Sequence, residues 1–460
     1  MRVVKKFEKK GYFWLPTAPE IRLPGTLTVR DKGRVELEIF GVFATSFEAS
    51  RLNPNIGRIL GTIDTFGEVT LEDCFHFAAS TSHDGTCHAQ VFVGLALLGL
   101  RCEQEAIQVD NLSFRTDLVD EWLDVSEISV EYDWDNQVTS IISSKLESET
   151  FDLTNGLSLR ISFPNTFPER RTASRIEVAH FAQLTIFSEF KRDLSVLLDA
   201  AHRLTNLICL ATTATLAITD LSTRLTESEG KEDEKSGRDL RIFYLSPSYT
   251  KDVPIRQRHE MLFLYGQING DPVTVFRNWF EAYDRIRPSM NLYFATMNIG
   301  HGYLESRFIA LAHGLETYHR RTSKETLKAD EEYSAMVARI LENCPVESKE
   351  WLDGRLQHGN ELSLGTRLKR IIEPFKSYMG NSKERNRIVK KIADTRNYLT
   401  HYSDGLRELA ASDEELSRLC DILEGLFQLV LLSAAGFNDT HFADASVGSD
   451  DLWIKVQLAS

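Results

Sequence analysis

Three side chains near the end of the sequence, Arg396, Asn397 and His401, carry groups that can act on a phosphodiester. They lie in the stretch DTRNYLTHYSDG, residues 394–405, with the histidine five positions after the arginine. An imidazole can exchange a proton near neutral pH, a guanidinium can stabilise a phosphate and its developing charge, and an amide can orient either group. This set suits cleavage of RNA by its own 2′-hydroxyl, a reaction that requires no metal ion.

Helical periodicity around the motif predicts which way these side chains point. With Ile388 set at 0° and about 100° per residue, Arg396 falls at about 80°, Asn397 at about 180° and His401 at about 220°. Arg396 is therefore predicted at the border of the buried face, and Asn397 and His401 on the outward face, one turn apart. The predicted buried stripe consists of three apolar residues: Ile388, Ile392 and Leu399.

The arginine–histidine spacing alone has little specificity. A second pair with the same separation, Arg175 and His180, occurs in the chain. That pair falls on a predicted strand, residues 174–188, where positions five apart face opposite sides. The C-terminal pattern is the more specific of the two. It has an asparagine after Arg396, it lies on a predicted helix, and basic residues precede it in the chain.

Positive charge is concentrated just before the motif, although the whole chain has a formal net charge of −14. Between Arg367 and Arg396, ten basic residues stand against three acidic ones, a local charge of +7. The ordinary explanation for such a run is a solvated helix face. The functional explanation is a basic surface that attracts the phosphate backbone of a nucleic acid. Under the functional interpretation, five residues contact RNA: Lys383, Arg385, Arg387, Lys390 and Lys391.

The composition is that of a globular protein. With 460 residues, 42% of them hydrophobic and 26% charged, the chain is expected to form two or three domains. Neither a secretory signal pattern nor an apolar run of about 20 residues is found, so we expect a cytoplasmic protein without membrane association. The six cysteines form no C-x-x-C pair, which argues against a disulfide scaffold.

Periodicity predicts an α+β protein with three regions. Residues 1–165 are strand-rich and form a β-rich N-terminal domain, with a turn at Asp31–Gly33. Residues 166–300 are a mixed α/β middle region, with an exposed loop at residues 226–239. Residues 301–460 carry apolar residues at helical spacing and predict a helical bundle.

A second group of residues has the types that bind zinc but not the spacing. It consists of Cys74, His76, His83, Cys87, His88 and Cys102. The sequence lacks the combined C-x2-4-C and H-x3-5-H spacing of paired zinc ligands. The cysteines are explained equally well as core residues on one face of a strand. The sequence leaves zinc binding by this group open. We predict no metal and no other cofactor for the C-terminal motif.

These residues resemble those of a known family. RNYLTH, on the penultimate long helix of a C-terminal bundle, is similar to the R-x4-6-H signature of HEPN ribonucleases, and LESRFIALAHGLETYHRR is similar to the opening helix of that domain. GYFWLPTAPEIRLPGTLTVRDKGRVELEIFG and GEVTLEDC resemble the N-terminal domain of ApeA-type HEPN antiphage defence proteins. The resemblance covers both ends of the chain.

The resemblance implies an endoribonuclease that cleaves cellular RNA, such as tRNA, in abortive infection. His401 would be the general acid or base, Arg396 would stabilise the phosphate and the transition state, and Asn397 would orient them. The resemblance carries over only these three residues; apart from it, we expect Glu316, on the first helix of the bundle, to support Arg396 through a salt bridge. Two motifs would meet across the interface of a homodimer or higher homo-oligomer formed by the C-terminal domain.

An alternative is a non-catalytic protein whose helical domain dimerises or docks RNA, while the N-terminal domain recognises a partner. It predicts that RNA is bound without cleavage and that His401→Ala has no effect. Because an unrestrained ribonuclease would poison its host, the first hypothesis also implies regulation. The N-terminal and middle regions would then sense a phage-derived trigger and restrain the helical domain until it is present.

Overall fold

The chain folds into two compact units, Met1–Arg277 and Asn278–Ser460. The computed structural model describes residues 1–43, 54–81, 87–103, 106–126, 128–135, 137–166, 179–225, 238–268, 270–297, 302–438, 441–442 and 449–457. The first unit is built mainly from strands and the second from helices. The predicted α+β class, β-rich at the N-terminus and helical at the C-terminus, is confirmed.

The first unit contains a large antiparallel sheet. Its described strands are β1 (Phe7–Leu15), β2 (Ala18–Arg30), β3 (Arg34–Phe40), β4 (Asn55–Ile63), β5 (Gly67–Thr81), β6 (Cys87–Val93), β7 (Leu95–Leu98), β8 (Gln108–Thr116), β9 (Ile128–Asp133), β10 (Val138–Ser143), β11 (Glu149–Asp152), β12 (Leu157–Ser162), β13 (Asn165–Thr166), β14 (Ala179–His180), β15 (Gln183–Asp193), β16 (Ile218–Leu225) and β17 (Arg238–Tyr244). Thirteen of them form one sheet in the order β11-β12-β15-β8-β16-β17-β7-β5-β4-β1-β2-β3-β6. The pairs β9–β10 and β13–β14 are separate two-stranded sheets.

One end of this sheet closes into a barrel of six strands. Strand β5 pairs with both β4 and β6, so that β4, β1, β2, β3, β6 and β5 form a ring. Residues alternate between the interior and solvent, as in β3, where Val35, Leu37 and Ile39 are fully buried. The predicted turn at Asp31–Gly33 is present, and its last two residues both have a φ of 71°.

Much of the predicted middle region belongs to the same sheet. Strands β15, β16 and β17 join β12, β8 and β7, and the helix α2 (Leu194–Thr212) packs on β8 and β15. The only α-helix that precedes it among the described residues is α1 (Val119–Leu123). The division into three regions remains a prediction, whereas the structure separates the chain at residue 277.

Two predicted elements of the middle region fall partly outside the described residues. Of the strand predicted at 174–188, residues 174–178 are not described, and the remainder is interrupted between β14 and β15. Of the loop predicted at 226–239, residues 226–237 are not described. Its last two residues, Arg238 and Asp239, lie in β17 and not in a loop.

Helix α2 is the one described helix that is long and apolar enough to cross a membrane. Within its apolar window, 67% is buried inside the protein. Leu197, Leu204 and Leu207 are all at most 2% exposed. The apolar composition of α2 is therefore accounted for by its place in the core of the first unit.

The remaining described helices lead into and form the second unit. They are α3 (Tyr265–Ile268), α4 (Pro272–Met297), α5 (Leu304–Thr322), α6 (Asp330–Glu342), α7 (Lys349–Leu356), α8 (Leu364–Ile372), α9 (Ser382–His401), α10 (Asp404–Arg407), α11 (Asp413–Ala435) and α12 (Asp450–Val456). Helix α4 is kinked at Ile286, two residues before Pro288, because proline cannot continue the regular helical hydrogen bonding.

The core of the second unit is organised around α5, which packs against α8, α9 and α11. Phe308, Leu311 and Leu315 on its apolar stripe are fully buried. At Gly314 a Cβ atom would lie 2.7 Å from the ring of Phe427 on α11. The close approach of these two helices therefore requires glycine at this position. This packing places the polar side of α5 next to α9.

Candidate active site

Helix α9 has well-defined ends that fix the position of the motif. At its start, the side chain of Asn381 accepts from the backbone N–H of Glu384, while the Glu384 carboxylate accepts from the backbone N–H of Asn381. This reciprocal capping box stabilises a helix N-terminus. At the other end, Tyr402 adopts a left-handed conformation with a φ of 48°. His401 is therefore the last residue of the helix.

The buried side of α9 is rotated slightly from the predicted one. Ile392 is buried as predicted. Ile388 and Leu399, which were also predicted to be buried, are partly exposed. Val389 and Thr395 are buried instead. The hydroxyl of Thr395 accepts a hydrogen bond of 3.0 Å from the backbone N–H of Ala411. A pattern based on apolarity misses a threonine that is buried to satisfy a backbone donor.

Arg396 is held between α9 and α5. One terminal nitrogen, Nη2, lies 3.1 Å from Oε2 of Glu316, and the other, Nη1, donates to the Oδ1 of Asn397 at 3.2 Å. Glu316 is well buried, with a side chain 12% exposed, and Arg396 is half-buried at 28%. The expected salt bridge from Glu316 is thus present. Two of the five N–H donors of the guanidinium are engaged, and the others can contact a ligand.

Glu316 belongs to a wider charge network on the same side of α5. Its second oxygen, Oε1, accepts from Nη2 of Arg320 at 3.1 Å. Arg320 also pairs with Glu361, which follows α7 in the chain. Because the Glu316 carboxylate binds two guanidinium groups at once, it is restrained from both sides. This restraint is transmitted to Arg396.

His401 is exposed and forms no hydrogen bond or ion pair with any residue that the structure describes. Asn397 is partly exposed and its Oδ1 faces Arg396. The structure therefore joins Glu316, Arg396 and Asn397 by direct contacts, whereas the imidazole forms no hydrogen bond with any of the three. Positions five apart on a helix differ by about 140° in direction, so one copy of α9 does not direct Arg396 and His401 to a single point.

Comparison with known protein families assigns both units. The family model for ApeA N-terminal domain 1 matches residues 8–279, which is more than half of the chain, and the Apea-like HEPN model matches residues 309–441. The chain belongs to the ApeA-type HEPN antiphage protein family. Neither the curated proteins nor the solved structures include a significant match to it. The HEPN match contains Glu316, Arg396, Asn397 and His401.

The five cations predicted to bind RNA on the HEPN domain differ in their pairing. Lys390 is bound by Asp394 at 2.6 Å, and Lys391 by Glu415 at 3.1 Å. Arg385 donates to the backbone carbonyls of Lys376 and Gly380. Lys383 and Arg387 are exposed and form no ion pair within the described part of the chain. Lys383 and Arg387 are therefore the two of these five cations whose head groups are bound by neither a carboxylate nor a carbonyl of the described residues.

An open groove of about 470 Å³ runs between α9 and α11 in the HEPN domain. Helical geometry places Arg387 at about 260° and His401 at about 220°, so the groove and the imidazole share one side of α9. Four apolar residues, Ile388, Leu409, Leu419 and Ile422, and seven charged residues, Arg387, Lys390, Lys391, Asp394, Glu408, Glu415 and Arg418, line the groove.

The basic run is not a continuous surface patch, because Arg367 is buried. It is 4% exposed, and its Nη1 donates to the Nδ1 of His319 at 3.1 Å. His319 itself is 5% exposed. Burial lowers the pKa of His319, and the adjacent Arg367 lowers it further. The imidazole is therefore a neutral acceptor for a buried cation, which the sequence pattern did not reveal.

The pairing of His319 with Arg367 predicts a dependence of HEPN-domain stability on pH. Because the pKa of His319 is lower in the folded than in the unfolded protein, the unfolded chain binds more protons at acidic pH. We expect the free energy of unfolding to decrease as the pH falls below about 6.5, and this residue to have no effect above it. In His319→Gln, which keeps an acceptor for Arg367, the free energy of unfolding should change less with pH. Urea denaturation over this pH range tests it, with the exposed His313→Gln as control, and equal slopes in all proteins would contradict it.

The cysteine and histidine group in the first unit lies mostly in or near the barrel. Cys74 is fully buried and its pKa is raised by burial. His76 is 8% exposed, neither ring nitrogen has a hydrogen-bond partner, and burial lowers its pKa. His83 is outside the described residues. Over the described positions, no three His, Cys, Asp or Glu side chains are arranged to hold a metal ion.

Proposed function

We propose that this protein is an endoribonuclease that cleaves cellular RNA, such as tRNA, in antiphage defence. The observation that carries the proposal is the exposed imidazole of His401 at the end of α9, combined with the anchored guanidinium of Arg396 on the same helix. Membership of the HEPN family supports it, because HEPN domains are generally related to ribonucleases.

The chemistry follows from the groups present. The RNA 2′-oxygen attacks the adjacent phosphorus, a 2′-O–P bond forms, and the P–O5′ bond breaks to leave a cyclic phosphate and a 5′-hydroxyl. One proton leaves the 2′-hydroxyl and one is added to the departing oxygen, and His401 performs one of these transfers as general base or acid. Arg396 stabilises the charge on the phosphate with its remaining donors. None of these steps requires a metal ion.

The divergent directions of Arg396 and His401 support a site made by two copies of the chain. In a two-fold symmetric homodimer, the imidazole of one α9 can approach the guanidinium of the other, and the arrangement occurs twice. We therefore propose self-association through the HEPN domain, as a homodimer or a higher homo-oligomer. Asn397, which contacts Arg396, would orient the guanidinium.

Along α9, the RNA would be attracted first by Lys383 and Arg387, which have no carboxylate partner among the described residues. Lys390, Lys391 and Arg385 would contribute once RNA phosphates compete with their present partners. Each phosphate contact releases counterions, so binding should weaken as salt increases. We place this activity in the cytoplasm, restrained until a phage-derived trigger acts on the N-terminal unit.

Cleavage of total RNA in the presence of EDTA tests the proposal. The parent should yield fragments with cyclic phosphate ends, and His401→Ala should not. RNA that is retained without cleavage, equally by parent and variant, would favour a non-catalytic RNA-binding or dimerisation protein. Because the trigger is part of the proposal, the reaction should be run with protein purified from infected and from uninfected cells.

The anchoring role of Glu316 can be tested with Glu316→Gln. The substitution keeps the shape of the side chain but removes the charge that holds Arg396, so we expect kcat/KM for RNA to fall about tenfold to a hundredfold. The loss should appear mainly in kcat. Glu331→Gln, at an exposed position on α6, is the matched control and should leave the rate unchanged.

A double-mutant cycle separates this role from a general effect on folding. If Glu316 acts through Arg396, then Glu316→Gln should cause no further loss in an Arg396→Ala background. A further loss of the same size would show that Glu316 acts independently of Arg396. Thermal melting of all four proteins verifies that the comparison is made between folded chains.

A further inference from the structure

The outer surface of the barrel has an ordered array of side chains on three adjacent strands, β5, β6 and β3. The strand register aligns three rows across this surface: Phe75, Phe92 and Glu36, then Ala78, Gln90 and Glu38, then Ser80, His88 and Phe40. Phe77 lies at a bulge in β5 between the first two rows. We call the five aromatic members, Phe40, Phe75, Phe77, His88 and Phe92, the aromatic face.

Four rings of the aromatic face form two pairs on the outer side of the barrel strands. Phe75 and Phe92 are stacked with ring centres 4.9 Å apart, and Phe40 and His88 meet edge to face at 4.7 Å. Phe40, Phe75 and Phe77 are 49%, 40% and 45% exposed. From the rise per residue in a strand, the two pairs are about 13 Å apart. Clustered exposed aromatic rings of this kind are characteristic of interaction sites.

These rings are not part of the core, because the other side of each strand already fills the barrel. Leu37, Ile39 and Val91, which alternate with them, are fully buried. All three strands have neighbours on both sides, so a ligand cannot extend the sheet by adding a strand at this place. It must instead bind to the side chains of the aromatic face.

Charge determines which kind of ligand fits. Glu36, at one margin, is already occupied by two arginines, Arg30 at 3.2 Å and Arg34 at 2.6 Å, so it is not available to a ligand. Glu38, in the central row, is exposed and has no ion pair or hydrogen bond with a described residue. Residues 1–277 have 30 basic and 40 acidic residues, a net charge of −10. This charge opposes a phosphate backbone and favours a cation.

We propose that the aromatic face is a docking site for a basic protein segment. An arginine or lysine of that segment would pair with Glu38 in the central row, and apolar side chains on either side of it would pack on the two aromatic pairs. A cation held between Glu38 and the neighbouring rings also gains from interaction with their π-electron faces. The site is on the N-terminal unit and does not depend on whether the HEPN domain cleaves RNA.

Binding of short labelled probes to the full-length protein tests the proposal by fluorescence anisotropy. The probes are a peptide in which arginine alternates with leucine, the same peptide with aspartate in place of arginine, and an oligouridine of similar length. We expect the arginine peptide to bind and the other two to bind at least about tenfold more weakly. Glu38→Lys and Phe75→Ser should each weaken the arginine peptide at least about tenfold.

Two matched variants serve as controls for surface changes elsewhere on the same unit. Glu20→Lys changes an exposed glutamate in β2, and Phe190→Ser changes a phenylalanine in β15 that is 72% exposed. Both should bind the arginine peptide like the parent. Thermal melting checks that each variant is folded, and Glu38→Lys, which changes no ring, keeps the test valid if Phe75→Ser unfolds.

Three results with the peptide probes would overturn the proposal. They are equal binding of the arginine and aspartate peptides, no binding of the arginine peptide by the parent, and unchanged binding by folded Glu38→Lys. Preferential binding of oligouridine that is lost in Phe75→Ser would also overturn it, and would assign the aromatic face to stacking of unpaired bases.

Discussion

Replacing His401 with alanine should lower the rate of RNA cleavage by about 10²–10⁴-fold, the usual contribution of a general acid or base. The imidazole is exposed and has no partner among the described residues, so its removal leaves no buried group unsatisfied. The melting temperature and the affinity for RNA should therefore remain those of the parent. His313→Ala, at an exposed position on α5, should retain full activity. Single-turnover cleavage with saturating protein measures the effect.

Arg396→Ala should show a different pattern because this side chain is half-buried and paired. Loss of the guanidinium removes the stabilisation of the phosphate and leaves the buried carboxylate of Glu316 with one partner fewer. We expect a loss of rate of about 10²–10³-fold together with a small loss of stability. Parental rates in both variants would exclude the motif as the catalytic site.

Mixing the two inactive variants distinguishes a site within one chain from a site shared by two. If His401 of one protomer acts with Arg396 of its partner, a mixed dimer of His401→Ala and Arg396→Ala contains one complete site. Activity should then increase when the two proteins are co-expressed. If each chain contains a complete site, the mixture should remain as inactive as its components.

The largest expected effect on stability is that of Asp117→Ala in the N-terminal unit. Both oxygens of Asp117 accept from Arg2, at 2.9 Å each, and one also accepts from the backbone N–H of Ala217 at 3.0 Å. The side chains are 8% and 3% exposed. Removing one partner of a buried ion pair leaves an uncompensated charge, which typically costs about 3–5 kcal/mol.

The exposed pair of Arg224 and Asp239 is the matched control for this prediction. Its N–O distance is 2.8 Å, but the two side chains are 53% and 61% exposed. Water screens such a pair, so Asp239→Ala should cost less than about 1 kcal/mol. Chemical denaturation measures the free energy of unfolding of both variants. Equal losses in the two would contradict the importance that we assign to burial.

Local features of the chain were predictable where neighbouring residues determine them. The turn at Asp31–Gly33 is indicated by Gly33, which has a positive φ, and the alternation that follows it gives β3. The outward position of His401 follows from helical periodicity alone. The start of α9 is encoded locally, since its capping box joins Asn381 and Glu384, three positions apart, whereas its end at His401 comes before the Asp404–Gly405 signal, which lies in α10.

Family resemblance, and not periodicity, suggested the family to which the chain belongs. The similarity of both ends of the chain to ApeA-type proteins is confirmed by the family models over residues 8–279 and 309–441. The pairing of Glu316 with Arg396 joins residues 80 positions apart, which no local pattern specifies. The roles proposed for Arg396, Asn397 and His401 remain predictions that the experiments above test.

The sequence by itself determined the α+β class, the strand alternation of the barrel, and a helix with an outward-facing histidine near its end, because each depends on residues close together in the chain. Tertiary structure alone decided which charged residues are free. Arg367 is buried against His319, Lys391 is paired with Glu415, and Lys383 is left in solvent. The physical reason is that burial and ion pairing depend on side chains from distant segments, whose proximity arises only when the helices pack.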